Sequence, residues 1–360
     1  MASPRNDTRD VGRKPDERAE SAALKVSIFS VQDHHPGRER TLPQLYDQVL
    51  RQGVLADELG YHTFFVAEHH FHEYGAVPNP AVFLSGLAGR TTRLRLGTAI
   101  SILTFHHPLT IAENYAMVDV LSSGRLTLGV GSGYLKHEFA GYGIAGAEKR
   151  DRFDENLALV ERLLAGERVT HQGRFTSLDA VQINVRPVQR EVPIYVAILR
   201  KEAAYHVGRQ GRRMLFVPYA SVDSFDEIAE LMSEFHRGRE DAGLTDHTDA
   251  AAITLHTHVA ASDQEARREA EGAFNLYVAT RLYAKSAVYD DIIRSGLSLF
   301  GSVETVAEKM LRLKCMGLDH VLTLQNFGLL PETLVQRSMR MMMEEVVPLV
   351  DARSDRAWAA

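Results

Sequence analysis

The chain has 360 residues, 45% apolar and 24% charged, with a formal net charge of −6 and one cysteine, Cys315. That apolar share can bury a large core, which excludes a disordered chain. The acidic balance speaks against a nucleic-acid partner, which calls for a basic face. A lone cysteine excludes an internal disulfide, a secreted disulfide scaffold and a cysteine-rich metal site.

No apolar run approaches the roughly 20 residues that a membrane helix needs. Residues 1–22 are charged throughout and lack the apolar stretch of a secretory signal. They are expected to be a solvated, disordered tail, followed by one domain over 23–351 and a second tail over 352–360. A soluble, cytoplasmic protein is expected, with no membrane partner.

From Leu24 the pattern is regular. LKVSIFS is a strand, PQLYDQVLRQGVLADELG a helix ending at Gly60, HTFFVAEHH a second strand, and Asn79–Gly89 a helix with cap and first-turn proline. LRLGTAISIL and RLTLGVGSG are further strands, separated by a helix ending at Gly124. Asp154–Ala165 is helical, and 170–190 is a polar excursion holding a hairpin. Five more segments follow the same grammar: VPIYVAIL, MLFVPY, ITLHTHVA and DHVLTLQ as strands, and a final amphipathic helix from Glu332. About eight strand–helix units without a linker between halves predict one closed (β/α)8 TIM barrel. An open doubly wound sheet would expect a dinucleotide fingerprint after its first strand, and LKVSIFSVQDHHPG has none. Residues 281–300 show no clear period and are expected to be a surface loop or a mobile segment near the seventh strand.

In such a barrel the reactive groups sit at the C-terminal ends of strands. His34 and His35 follow the first strand; Glu68, His69, His70 and His72 end the second; His106 and His107 follow the third. Histidine moves protons or holds metals near neutral pH. A metal barrel wants an early H-x-H, yet the one H-x-H within a strand is late, at His256–His258, and no metal site is expected. An acid/base role for His69 or His70 is the better reading, with His34, His70 and His107 as candidate substrate contacts. The glycine-rich turn GVGSGY, including Ser132, Gly133 and Tyr134, suits close approach of backbone N–H groups to an anion. Arg150 and Arg152 open the next helix, and Arg200 lies beyond the fifth strand; arginines there suit a phosphate. There is no Walker lysine motif and no nucleophile elbow. The hard chemistry therefore points to a cofactor.

These motifs together resemble the bacterial luciferase-like flavin monooxygenases. The matching segments include LADELGYHTFFVAEHHFHEYG, TRLRLGTAISILTFHHPLTIAEN, VDVLSSGRLTLGVGSGY, EFAGYG and PIYVA, spread over about 24–350. The resemblance implies a (β/α)8 barrel binding reduced FMN at its C-terminal mouth, a flavin C4a-(hydro)peroxide formed with O2, and oxygenation of a small metabolite such as an aldehyde or ketone. It implies a separate NAD(P)H:flavin reductase as transient partner, a homodimer, and an association with secondary metabolism. By resemblance His69 is the catalytic histidine, Glu68 lies near the isoalloxazine, and Ala99–Ile100 is a non-proline cis peptide beneath it. Arg150 matches a phosphate-binding arginine, and Ala197, Leu199 and Arg200 fall at the strand-five cofactor site. Gly131 and Ser132 stand where luciferase has a reactive cysteine and an arginine, so light emission is not implied. Arg200 and Ala203 replace small hydroxyl residues at the phosphate site, which keeps the deazaflavin F420 as the alternative cofactor. A non-catalytic flavin-binding partner subunit is a third reading.

Overall fold

The computed structural model describes residues 24–280 and 287–359; the predicted tail over 1–22 lies outside them. The strands are β1 (Lys25–Ser30), β2 (Thr63–Val66), β3 (Arg95–Ile102), β4 (Leu126–Gly131), β5 (Val169–Gln172), β6 (Ser177–Val181), β7 (Ile194–Ile198), β8 (Arg213–Phe216), β9 (Ala251–Ala260), β10 (Ser298–Ser302) and β11 (His320–Leu324). Eight of them, β1-β2-β3-β4-β7-β8-β9-β11, pair in parallel and close back on β1. This is the (β/α)8 barrel expected from the strand–helix count.

The helices form where the sequence supplies their ends. Thr41 and Gln44 make a capping box ahead of Leu42–Leu59, and Gly60 closes that helix at φ 82°. The Asn79 side chain accepts the Val82 N–H ahead of Pro80–Ala88. Leucine, valine, phenylalanine and methionine at helical spacing then bury against the barrel, among them Leu84, Leu87, Val160, Leu163, Phe235 and Met310. Inside the barrel, large and small side chains interlock. A Cβ on Gly97 would lie 2.4 Å from the Phe65 ring, so only glycine leaves room for it.

The excursion after β4 is the antiparallel hairpin β5–β6, as expected. Buried Asp119 ties the chain beyond it back to the barrel, accepting the N–H groups of Val188, Gln189 and Leu126. Two differences from the sequence reading concern the C-terminal third. Residues 281–286 of the expected mobile segment lie outside the described residues, but the remainder forms a helix, Tyr289–Ser295, and the added strand β10. β9 is long enough to serve two roles: Ala251–Ile253 pair with β8, whereas His256–Ala260 pair with β10 beyond the end of β8. The last helix, Val347–Ala359, runs through positions 352–359 that the sequence reading placed in a tail.

Candidate active site at the barrel mouth

A cavity of about 510 Å3 opens at the C-terminal ends of β1 to β4 and β7 to β9. Its size falls within the usual range for small-molecule sites. Glu68, His69, Ala99, Ile100, Ser132, Gly133, Tyr134, Arg150, Ala197, Leu199 and Arg200 all line it, together with apolar Phe29, Val31, Ile102, Val196, Ile198 and Phe216. The structure thus gathers at one mouth residues far apart in the chain; Glu68 and Arg200, both predicted, are 132 positions apart.

Local backbone explains how. The β3–β4 register slips by one residue between Thr98 and Ser101, so Ala99–Ile100 bulges from the ladder, and the peptide bond between them is cis. The neighbouring strand has to be glycine at 129 and approaches closely again at 131. A Cβ on Gly129 would lie 2.1 Å from the Thr98 carbonyl oxygen, and one on Gly131 would lie 2.2 Å from Ile100 Cδ1. The glycine turn therefore serves close strand approach at least as much as anion contact.

Glu68 is buried, and both of its carboxylate oxygens are taken up by protein partners. His70 Nε2 and His106 Nε2 stand 2.9 and 2.6 Å from its Oε1, while Ser101 Oγ and the Ile102 N–H donate to Oε2. Burial alone would raise its pKa; the hydrogen bonds from His106 and His70 outweigh that and lower it. The three ligating atoms could suggest a metal. Yet groups about 2.0–2.1 Å from one tetrahedral zinc stand roughly 3.3 Å apart, and the spacings here are those of hydrogen bonds. Glu68 is a clamp that fixes the bulged segment and both histidines.

His69 lines the cavity. Its Nδ1 lies 3.1 Å from Glu138 Oε1, and that buried carboxylate also accepts the His70 backbone N–H. Tyr74 packs edge-on at 4.4 Å, and a Cβ on Gly75 would collide with the ring. The sequence reading did not single out Glu138, although it begins the EFAGYG segment.

Lys149, the first residue of the helix Lys149–Leu164, was also missed and also lines the cavity. Its pKa is lowered by burial and by the positive charges of Arg200 and Arg150. Three cations therefore share one part of the wall, an arrangement that favours an anion. Arg150 is largely exposed and pairs with Asp154. Arg152 turns elsewhere, pairing with Glu148 and stacking on Phe175 of the hairpin.

The remaining predicted substrate histidines do not line the cavity. His70 is held between Glu68 and the edge-on ring of Tyr142. His107 is exposed and caps the helix Pro108–Leu121, accepting the Leu109 N–H. His34 donates its backbone N–H to the Glu73 carbonyl, and burial lowers its pKa. His258 of the late H-x-H pairs with Glu269, and His256 packs among Phe274, Tyr277 and Phe327.

With this geometry in place, comparison with known proteins decides the family. A family model described as luciferase-like monooxygenase matches residues 24–320. The chain belongs to the luciferase-like monooxygenase family. Among solved structures of similar fold, the monooxygenase RslO1 from Streptomyces bottropensis superposes with a TM-score of 0.82 at 31% identity, covering 90% of this chain and 99% of that one. The oxygenase component of the flavin-dependent trigonelline monooxygenase from Acinetobacter baylyi is 27% identical over 68% of this chain and 67% of its own length. An F420-dependent glucose-6-phosphate dehydrogenase from Microbacterium testaceum is 36% identical over 45% of this chain, and the match spans 50% of its own length. Luciferase-like relatives thus include both flavin and F420 enzymes, and both kinds are oxidoreductases. Among the described residues no helix is long and apolar enough to cross a membrane.

Proposed function

We propose that this chain is the oxygenase of a two-component monooxygenase, taking reduced FMN from a separate NAD(P)H:flavin reductase and using O2 to oxygenate a small organic metabolite such as an aldehyde or ketone. The observation that carries this reading is the mixed chemistry of one cavity: Lys149, Arg150 and Arg200 on its wall, apolar Phe29, Val31, Val196 and Ile198, and His69 backed by a carboxylate. Those residues fit a flat, phosphate-tailed ring. The cations would hold the phosphate and the apolar side chains the ring, with Ala99, Ile100, Ser132, Gly133, Tyr134, Ala197 and Leu199 completing the wall. When held there, reduced FMN would supply the electrons that activate O2 for insertion. His69 takes and returns a proton, while the apolar wall keeps water from the reacting atoms.

Two experiments test this. The first mixes protein loaded with reduced FMN with O2 and follows the flavin absorbance. Reoxidation in more than one phase and slower than that of free reduced FMN is expected; a single phase at the free rate overturns the oxygenase reading. Anaerobic turnover with reduced F420 would instead select the hydride-transfer alternative, which the Microbacterium relative supports. The second compares FMN with riboflavin. Lys149→Ala combined with Arg200→Ala is expected to weaken FMN binding about ten- to a hundredfold and leave riboflavin binding unchanged; equal losses for both refute the phosphate assignment.

The homodimer is proposed on the face carrying exposed Val82, Met117 and Leu121, from the helices Pro80–Ala88 and Pro108–Leu121. Light scattering of the full chain checks it.

A further inference from the structure

Glu138 sits on the short helix Lys136–Gly141, just past the glycine turn, and is fully buried. Its Oε1 faces His69 Nδ1 at 3.1 Å and accepts the His70 backbone N–H at 3.0 Å. Its Oε2 is buried with no hydrogen-bond partner among the described residues. A carboxylate buried with one oxygen unsatisfied costs stability, and simple packing would be served better by an apolar side chain.

We propose that Glu138 is a positioning residue: it holds His69 with its proton on Nδ1, so that Nε2 is the nitrogen that exchanges protons in the cavity. This rests on the reading of His69 as the proton-handling side chain. A neutral imidazole carries one N–H, and an ionised carboxylate can only accept. Facing Nδ1, it therefore selects the Nδ1–H tautomer. When Nε2 takes a proton from the reacting group, the ring becomes an imidazolium beside a fixed negative charge. The same proton leaves from Nε2 in the following step, while the Nδ1 proton stays facing Glu138. The ring is also fixed in orientation, with Tyr74 edge-on at 4.4 Å, Tyr134 at 6.4 Å and Gly75 against its edge. Of the flanking titratable groups, the Glu68 carboxylate is taken up by His70 and His106.

The test uses the full chain with 15N-labelled histidine. In the unsubstituted protein, NMR is expected to find neutral His69 as the Nδ1–H tautomer; the Nε2–H tautomer overturns the proposal, whatever any variant does. In Glu138→Gln the amide oxygen keeps a similar shape but no charge. The His69 titration midpoint is expected to fall by about one unit or more, and an unchanged midpoint overturns the coupling. Turnover should fall about ten- to a hundredfold through kcat, with the pH profile shifted in step and the KM for flavin unchanged. Loss of flavin affinity with an unmoved midpoint would mark Glu138 as structural only. The NMR readouts need no turnover, so they separate failure of this inference from failure of the monooxygenase reading.

Discussion

Two of the histidine–carboxylate sets in this barrel lie at opposite ends. At the mouth, His69 and Glu138 meet beside a cavity. At the floor, at the N-terminal ends of the strands, His320 is wholly buried. Its Nε2 lies 2.8 Å from Ser27 Oγ, and its Nδ1 lies 3.4 Å from the Tyr195 hydroxyl and 3.6 Å from Asp249 Oδ1. Tyr195 donates to Asp249 at 2.6 Å, and Lys25 pairs with the same carboxylate at 2.9 Å. None of these floor residues lines the mouth cavity. The chemistry of the two sets is similar; what differs is access. Both ring nitrogens of His320 face protein partners, so the floor set can only hold strands together. The mouth set has one ring nitrogen tied by a carboxylate and the ring itself on the wall of a cavity large enough for a ligand. A histidine–carboxylate pair becomes a candidate for catalysis only where the fold leaves a reacting atom somewhere to sit.

Substitutions at the two ends should therefore separate. The largest expected effect is at the mouth: His69→Ala should lower turnover on the order of 10²- to 10⁴-fold while folding and flavin binding persist. Undiminished turnover would remove His69 from its role and erase the contrast. At the floor, Asp249→Asn keeps a residue tolerant of the observed φ of 54° but removes the charge facing Lys25. It should cost about 2 kcal/mol of stability by denaturant titration, less than for a fully buried pair because both side chains are partly exposed. Turnover should stay within about twofold; a large kinetic loss would mean the floor is coupled to the site.

The smallest effect concerns His62, which stacks edge-on against His320. Burial, with His320 and Lys25 nearby, lowers its pKa to about 3. The unfolded chain therefore binds this proton first. The stability from neutral His62 is complete above about pH 6.5 and is lost as pH falls towards about 3. His62→Gln should make the unfolding free energy less acid-sensitive, by about 1 kcal/mol at about pH 6. An identical pH dependence in both proteins would show that His62 does not carry the floor's acid response.

Much of this arrangement was legible beforehand where the signal is local. His69 and Arg200 lie just past strands with clear periodicity and line the cavity; the Ala99–Ile100 bulge inside β3 lines it too, but only the family resemblance pointed to it. Lys149 escaped notice because a lysine before two arginines carries no mark of burial. Glu138 escaped for a different reason: its partner is 69 residues away, and no local pattern joins them. His107 and His70 looked equivalent to His69 in sequence, but one became a helix cap and the other a member of the Glu68 clamp. β10 was hidden because SLFGS follows an irregular segment and pairs with a neighbour that already serves the barrel.

By itself the sequence determined the strand–helix alternation, the caps and prolines that start the helices, and hence a parallel barrel whose mouth gathers histidines. These follow from short-range sterics and periodic apolar burial, which act within a few turns of chain. Only the tertiary structure decided which histidine meets a cavity, which carboxylate faces it, and which cations surround the same opening. Those are distances between segments far apart in sequence, set by how the barrel closes.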